Sequence, residues 1–161
     1  MTRLENQLID KLKESGIDVI VSSKEEDYSG YDITVGNKKI DLKAQTTNSK
    51  YDTILLSLRH RSKNGDWILP GYLRRNDVYV WCYDDGDNCL WEISPEKLHY
   101  IELIATKFYK KSAETDYFNN EHILAVLPKT ECTKIFLKRR IKNDNIIIQK
   151  EIENIRESRI L

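Results

Sequence analysis

Residues 28–45, YSGYDITVGNKKIDLKAQ, set the tightest limit on what this chain can fold into. Two short runs of alternating apolar and polar residues, YDITV and KIDLKA, are joined by Gly36-Asn37. Val, Ile and Thr favour a pleated backbone, and a Gly-Asn pair supplies left-handed turn conformations, so the stretch predicts a hairpin. Side chains alternate across a strand, so Asp41 and Lys43 share one face while Leu42 takes the other. So short a turn folds Asp32 back toward Asp41. Two carboxylates and an ammonium then converge on one small volume.

Carboxylates are poor strand formers, and burying them is costly unless they are paired or bind a cation. Paired carboxylates suit a hard divalent ion such as magnesium, which takes oxygen ligands and keeps several waters. A lysine beside the ion can hold or deprotonate an attacking water and offset charge on a phosphate. The group as a whole suits hydrolysis of a phosphodiester. The plainer alternative is a solvated hairpin edge carrying a surface Asp41–Lys43 pair of little energetic value.

Around this hairpin the chain reads as a mixed α/β sequence. Thr2 to Ser15 predicts a helix, with Thr2 and Glu5 at capping-box spacing, an apolar stripe of Leu4, Leu8, Ile9 and Leu12, and Gly16 as its stop. Ile17 to Ser22 predicts a short strand and Lys24 to Gly30 a polar loop. Tyr51 to Leu58 predicts a third strand, with or without a bulge. Asp77 to Tyr83 (DVYVWCY) is the strongest central-strand pattern, followed by a turn at 84–88 and a return strand at Cys89 to Ile93. Ser94-Pro95 predicts a helix start, with the helix running to about Lys110. Ile123 to Leu127 predicts another strand, with Lys134 to Leu137 read as continuing that region. The isoleucine spacing after Ile148 predicts a terminal amphipathic helix that packs on its own core or on a second copy.

The hairpin and its surroundings resemble the PD-(D/E)XK nuclease superfamily, which includes restriction endonucleases, homing endonucleases and Holliday junction resolvases. That core is a helix, a hairpin carrying the acids, a third strand, and a crossover helix to a further strand. Asp32 matches the first acid and Asp41-Leu42-Lys43 matches (D/E)xK, with Tyr31 standing where the motif has Pro. The resemblance covers about residues 1–100. It implies a restriction endonuclease-like α/β (α+β) fold with a central mixed β-sheet flanked by helices. It also implies a magnesium-dependent DNA endonuclease, with manganese able to substitute. Asp32, Asp41 and Glu5 would be metal ligands, Lys43 would act on the water and phosphate, and Gln45 would steer the water or a backbone phosphate. Glu5 has a competing role as a helix cap.

The length of 161 residues fits a single nuclease domain, with a catalytic core at about 1–110 and a C-terminal strand and helix at 121–161 for oligomerisation. The net charge of zero excludes gross attraction to nucleic acid but not a local basic patch. Such a patch is expected at 59–75, where Arg59, Arg61, Lys63, Arg74 and Arg75 alternate with Trp67 and Tyr72 as a double-stranded DNA contact. Lys138-Arg139-Arg140 reads as a solvated element end. Cutting both strands of a duplex calls for two sites, hence a homodimer or homotetramer. No apolar run approaches membrane-spanning length and the first residues are polar, so a cytoplasmic protein without membrane association is expected. Cys82, Cys89 and Cys132 show no metal-ligand spacing, and Cys82 reads as a small core residue. The reading from another class is a non-catalytic nucleic-acid-binding or assembly protein on the same scaffold.

Overall fold

The computed structural model describes residues 2–45, 53–62, 64–84, 89–101, 105, 107–111, 121–133, 136–142 and 145–148. The expected loop at 46–50, the turn at 85–88, the polar segment 112–120 and the terminal helix beyond 148 lie outside the described residues. The chain is mixed α/β. Its first helix, α1 (Arg3–Glu14), starts at the expected cap: Thr2 Oγ1 accepts the Glu5 N–H at 3.3 Å, and Glu5 Oε2 accepts the Thr2 N–H at 2.8 Å. Such a box stabilises a helix start by about 1 kcal/mol. Leu8, Ile9 and Leu12 are buried on one stripe of α1, each contributing about 1.5–3 kcal/mol.

Three antiparallel segments follow: β1 (Val19–Val21), β2 (Ile33–Val35) and β3 (Lys38–Gln45). The β2–β3 hairpin is in the expected register, Ile33 opposite Ile40 and Val35 opposite Lys38, with Gly36 at φ +59° in the two-residue turn. The polar stretch before it is not a loop. Residues Lys24–Ser29 form a short helix, α2, because Ser23 and Glu26 make a second capping box and Gly30 closes the far end at φ +118°.

After β3 the chain leaves this sheet. It forms β4 (Thr53–Arg61), β5 (Trp67–Ile68) and a four-residue helix, α3 (Gly71–Arg74), then returns as β6 (Val78–Asp84) alongside and parallel to β3. The strands β7 (Cys89–Ile93), β10 (Leu137–Lys142) and β11 (Asn145–Ile148) extend the large sheet to the order β1-β2-β3-β6-β7-β10-β11. The small sheet has the order β5-β4-β9-β8, where β8 is Lys107–Lys111 and β9 is His122–Pro128. The β4–β9 ladder shifts register between Ser57 and Arg59, a bulge or irregularity that the alternation of 51–58 left open.

Three further expectations are corrected. The helix starting at Ser94-Pro95 is a 3₁₀ helix over Pro95–Tyr100, and 107–111 is strand β8, recruited as the neighbour of β9. The segment after β9 turns into a short helix, α4 (Lys129–Cys132), and β10 then joins the large sheet rather than continuing the small one. The described part of the β3–β6 crossover carries β4, β5 and α3 where the resemblance implies a helix.

The large sheet separates two cores. On one face α1 packs over Val19, Ile33, Ile40, Leu42, Trp81, Tyr83 and Leu90. On the other, Val78, Val80, Cys82, Trp91 and Ile93 meet Ile54, Leu56, Leu58, Ala125 and Leu127 of the small sheet. Among the described residues, no helix is long and apolar enough to cross a membrane.

Candidate active site

Strand alternation decides where the charged residues of β3 go. Ile40 and Leu42 enter the α1 core, so Asp41 and Lys43 face the small sheet, opposite Val80 and Cys82 of β6. Asp41 is 8 % exposed, and Lys43 Nζ lies 2.9 Å from its Oδ2. That contact is an ion pair made on a buried carboxylate oxygen, with Lys43 as its close partner. Asp32 stands just ahead of β2. Its N–H donates to the Ile40 carbonyl at 2.8 Å, and its Oδ2 accepts the Leu42 N–H at 2.7 Å. The hairpin thus clamps the Asp32 carboxyl against the middle of β3.

The electrostatics follow from this crowding. Burial, then the charge of Asp41, pushes the Asp32 carboxyl up to about 8, against the opposing Leu42 hydrogen bond and Lys43. Asp41 is also raised, first by burial, although Lys43 opposes it; Glu5 and Asp27 add smaller upward pushes. Burial works against the charge of Lys43, but Asp41, Tyr72 and Asp32 outweigh it and hold the ammonium above its usual range. Lys43 is therefore a charged hydrogen-bond donor and electrostatic partner at neutral pH, not a base. A cleft of about 220 Å³ opens beside it, lined by Glu5, Lys43, Ala44, Ile54, Leu55 and Cys82. Cys82 is the buried residue expected, and burial pushes its thiol up.

One buried and one half-buried carboxylate beside Lys43, which itself lines the cleft, suit a hard oxygen-seeking cation that completes its shell with water and phosphate. They do not make an all-protein cage: among the described residues, no group of three His, Cys, Asp or Glu side chains is placed to hold a metal ion.

The structure brings Glu5 to the cleft wall while its Oε2 caps α1. Gln45 ends β3 opposite Asp84, and its side chain lies outside the described part. The expected DNA contacts divide. Arg61 is exposed, donates to the Gly65 carbonyl at 3.1 Å and faces the Trp67 ring at 5.8 Å. Arg59 is half-buried and donates to the Leu58 carbonyl at 2.7 Å. Arg74 is exposed at the end of α3, and Lys63 lies outside the described residues. Arg75 is committed internally: it pairs with both oxygens of Asp77 at 2.9 and 3.0 Å and donates to Ser29 Oγ at 3.1 Å.

The placement of Tyr72 escaped sequence reasoning, and Asp27, read with Glu25 and Glu26 as part of a solvated loop that could add a peripheral carboxylate, stands on a helix instead. Tyr72 is not a surface aromatic: it is 2 % exposed, its hydroxyl donates to the Ser57 carbonyl, and its ring lies 5.3 Å from Lys43 Nζ. Asp27, in α2, adds a smaller upward push on the Asp32 carboxyl. The Ser23-x-x-Glu26 box and Gly30 were the signals that a helix, rather than a solvated loop, presents it.

Comparison with protein-family models, with curated proteins and with solved structures gives no match for this chain.

Proposed function

We propose that this chain is a magnesium-dependent DNA endonuclease built on a restriction endonuclease-like core. The observation that carries the reading is that Asp41 pairs with Lys43 on β3, that Asp32 is clamped on the Leu42 N–H between them, and that Lys43 lines an open cleft. The order helix, antiparallel hairpin, then a parallel neighbour for its second strand supports the same reading. Asp32 and Asp41 are the residues that would hold the ion, which when bound supplies Lewis acidity toward a phosphodiester and its attacking water. Lys43, kept charged by its carboxylate neighbours, donates to a phosphate oxygen and orients the water. Tyr72 supports the ammonium from below, and Ile54 and Leu55 limit water on the cleft's apolar side. Arg61 and Arg74 are the exposed cations offered to a duplex backbone, and two copies would serve its two strands.

A second reading, a non-catalytic nucleic-acid-binding or assembly protein, draws on the Lys43–Asp41 pair, which already neutralises the most buried acid. Plasmid cleavage with magnesium, with and without chelator, separates the two. Asp41→Ala and Lys43→Ala should each lower the rate by about 10²-fold or more. Chelator-resistant cleavage, or cleavage that survives either substitution, sinks the endonuclease reading.

A further inference from the structure

We propose that Trp67, backed by Arg61 on the β4–β5 hairpin, is a stacking platform for an unpaired base, so that the DNA this chain takes includes a single-stranded stretch. The inference deepens the nucleic-acid reading above by naming the form of its substrate, and it is tested without metal so that the two can fail separately.

A tryptophan ring carries a large apolar surface that folding ordinarily buries. Trp81 and Trp91 follow that rule at 4 % and 2 % exposed, whereas Trp67 keeps 38 % of its surface open and stands outside both cores. It lies on β5, the edge strand of the small sheet, with Ile68 exposed beside it. Charge selects what such an edge receives. Residues 59–75 carry five Arg or Lys and one Asp, in a chain whose net charge is zero. Arg75 is spent on Asp77, but Arg61 and Arg74 stand exposed. A large ring among cations suits a polyanion that also offers flat apolar faces, which is a nucleic-acid strand.

The ring is also held in place. Trp67 and Arg61 face each other across the hairpin, with the guanidinium carbon 5.8 Å from the ring centroid. Arg61 is fixed in turn: its Nε donates to the Gly65 carbonyl at 3.1 Å, and its Nη1 lies 3.9 Å from Glu121 Oε1. The turn is closed by the Ser62 N–H on the Asp66 carbonyl at 2.7 Å and the Gly65 N–H on the Ser62 carbonyl at 2.9 Å, with Gly65 at φ +87°. A platform ordered before binding loses little freedom when a base stacks on it. Every base has a face to offer, but in an intact duplex the neighbouring pairs cover it. Trp67 therefore calls for a base outside the duplex stack.

The test uses the full chain in chelator, with two probes: a short oligothymidylate and the same strand annealed to its complement as a blunt duplex. Because Trp81 and Trp91 are buried, quenching of tryptophan emission by a stacked base reports Trp67. The single strand should quench strongly and the duplex little. Trp67→Ala should bind an end-labelled single strand about 10-fold more weakly by fluorescence anisotropy, and Trp67→Phe, which keeps a ring, should recover most of that loss. The melting temperature of Trp67→Ala should stay within about 3 °C of wild type, because the ring belongs to neither core. Unchanged single-strand affinity in Trp67→Ala overturns the proposal, and so does equal quenching by the duplex. A wild-type chain that binds neither probe but loses self-association on Trp67→Ala also overturns it, since the ring is then a contact between copies. Plasmid cleavage without single-strand binding removes Trp67 and leaves the endonuclease reading; binding through Trp67 without cleavage does the reverse.

Discussion

The large sheet carries a lysine–carboxylate pair on each face, and the two differ in what surrounds them. On the α1 side, Lys38 Nζ lies 3.2 Å from both oxygens of Glu92, which is 5 % exposed, and Trp81 Nε1 donates to Glu92 at 2.6 Å. Each of these contacts supports the charge. On the opposite side, Lys43 touches one oxygen of Asp41, and the remaining neighbours of Asp41 include further acids. Burial is common to both. What separates the two pairs is the company each carboxylate keeps: Glu92 is met by two donors, whereas burial and neighbouring acids push both Asp41 and Asp32 upward.

This contrast can be broken by substitution. Glu92→Ala strands the Trp81 N–H and the Lys38 ammonium, and should cost about 3 kcal/mol, or roughly 6–12 °C in melting temperature. A variant that melts like wild type would remove the distinction between the faces. Gly71→Ala should cost about 2 kcal/mol, because α2 and α3 must part to admit the methyl group. If the proposed cation site is real it should also weaken calcium binding, since α3 carries Tyr72, whose ring lies 5.3 Å from Lys43 Nζ, whereas Glu92→Ala should not; equal calcium responses would count against the open face being a site. Asp32→Asn should stabilise the metal-free protein by about 1–2 kcal/mol at pH 8, visible as a melting-temperature gain of roughly 4 °C. The sign follows from an Asp32 carboxyl raised from 3.8 to about 8 in the fold. Its contribution to stability is complete below pH 4 and is lost as pH rises through 8, so wild type should weaken over that window and the variant should not. Saturating magnesium should cancel the gain; a gain independent of pH would contradict the crowding described here.

What could be read from the sequence was what local chemistry decides. The α1 cap needs only Thr2 and Glu5, three residues apart, and the hairpin needs only period-two alternation around Gly36-Asn37. The same alternation put Asp41 and Lys43 together, and the short turn put Asp32 with them. The helix α2 was hidden because its six polar residues carry no apolar stripe, and contacts with Tyr31, Arg75 and Gly71 hold it. The departure of β4 into a second sheet was hidden because its partner, β9, comes far along the chain; the same distant pairing makes 107–111 a strand. Tyr72 looked like one more aromatic in a basic loop because nothing local says that Gly71 lies against Gly30 and turns its neighbour inward.

The long detour between β3 and β6 has a consequence for how the molecule assembles. The hairpin pairs residues as close as Val35 and Lys38, and forms early and locally, whereas β4 must wait for β9 before the small sheet can seal its face of the core. Until that late ladder closes, Asp32, Asp41 and Lys43 stand on an open strand surface in contact with water. The expense of stripping their hydration therefore falls on the final docking of the two layers. Were the proposed ion captured on the half-built face, it would ease that closing step, and folding and loading would become a single event.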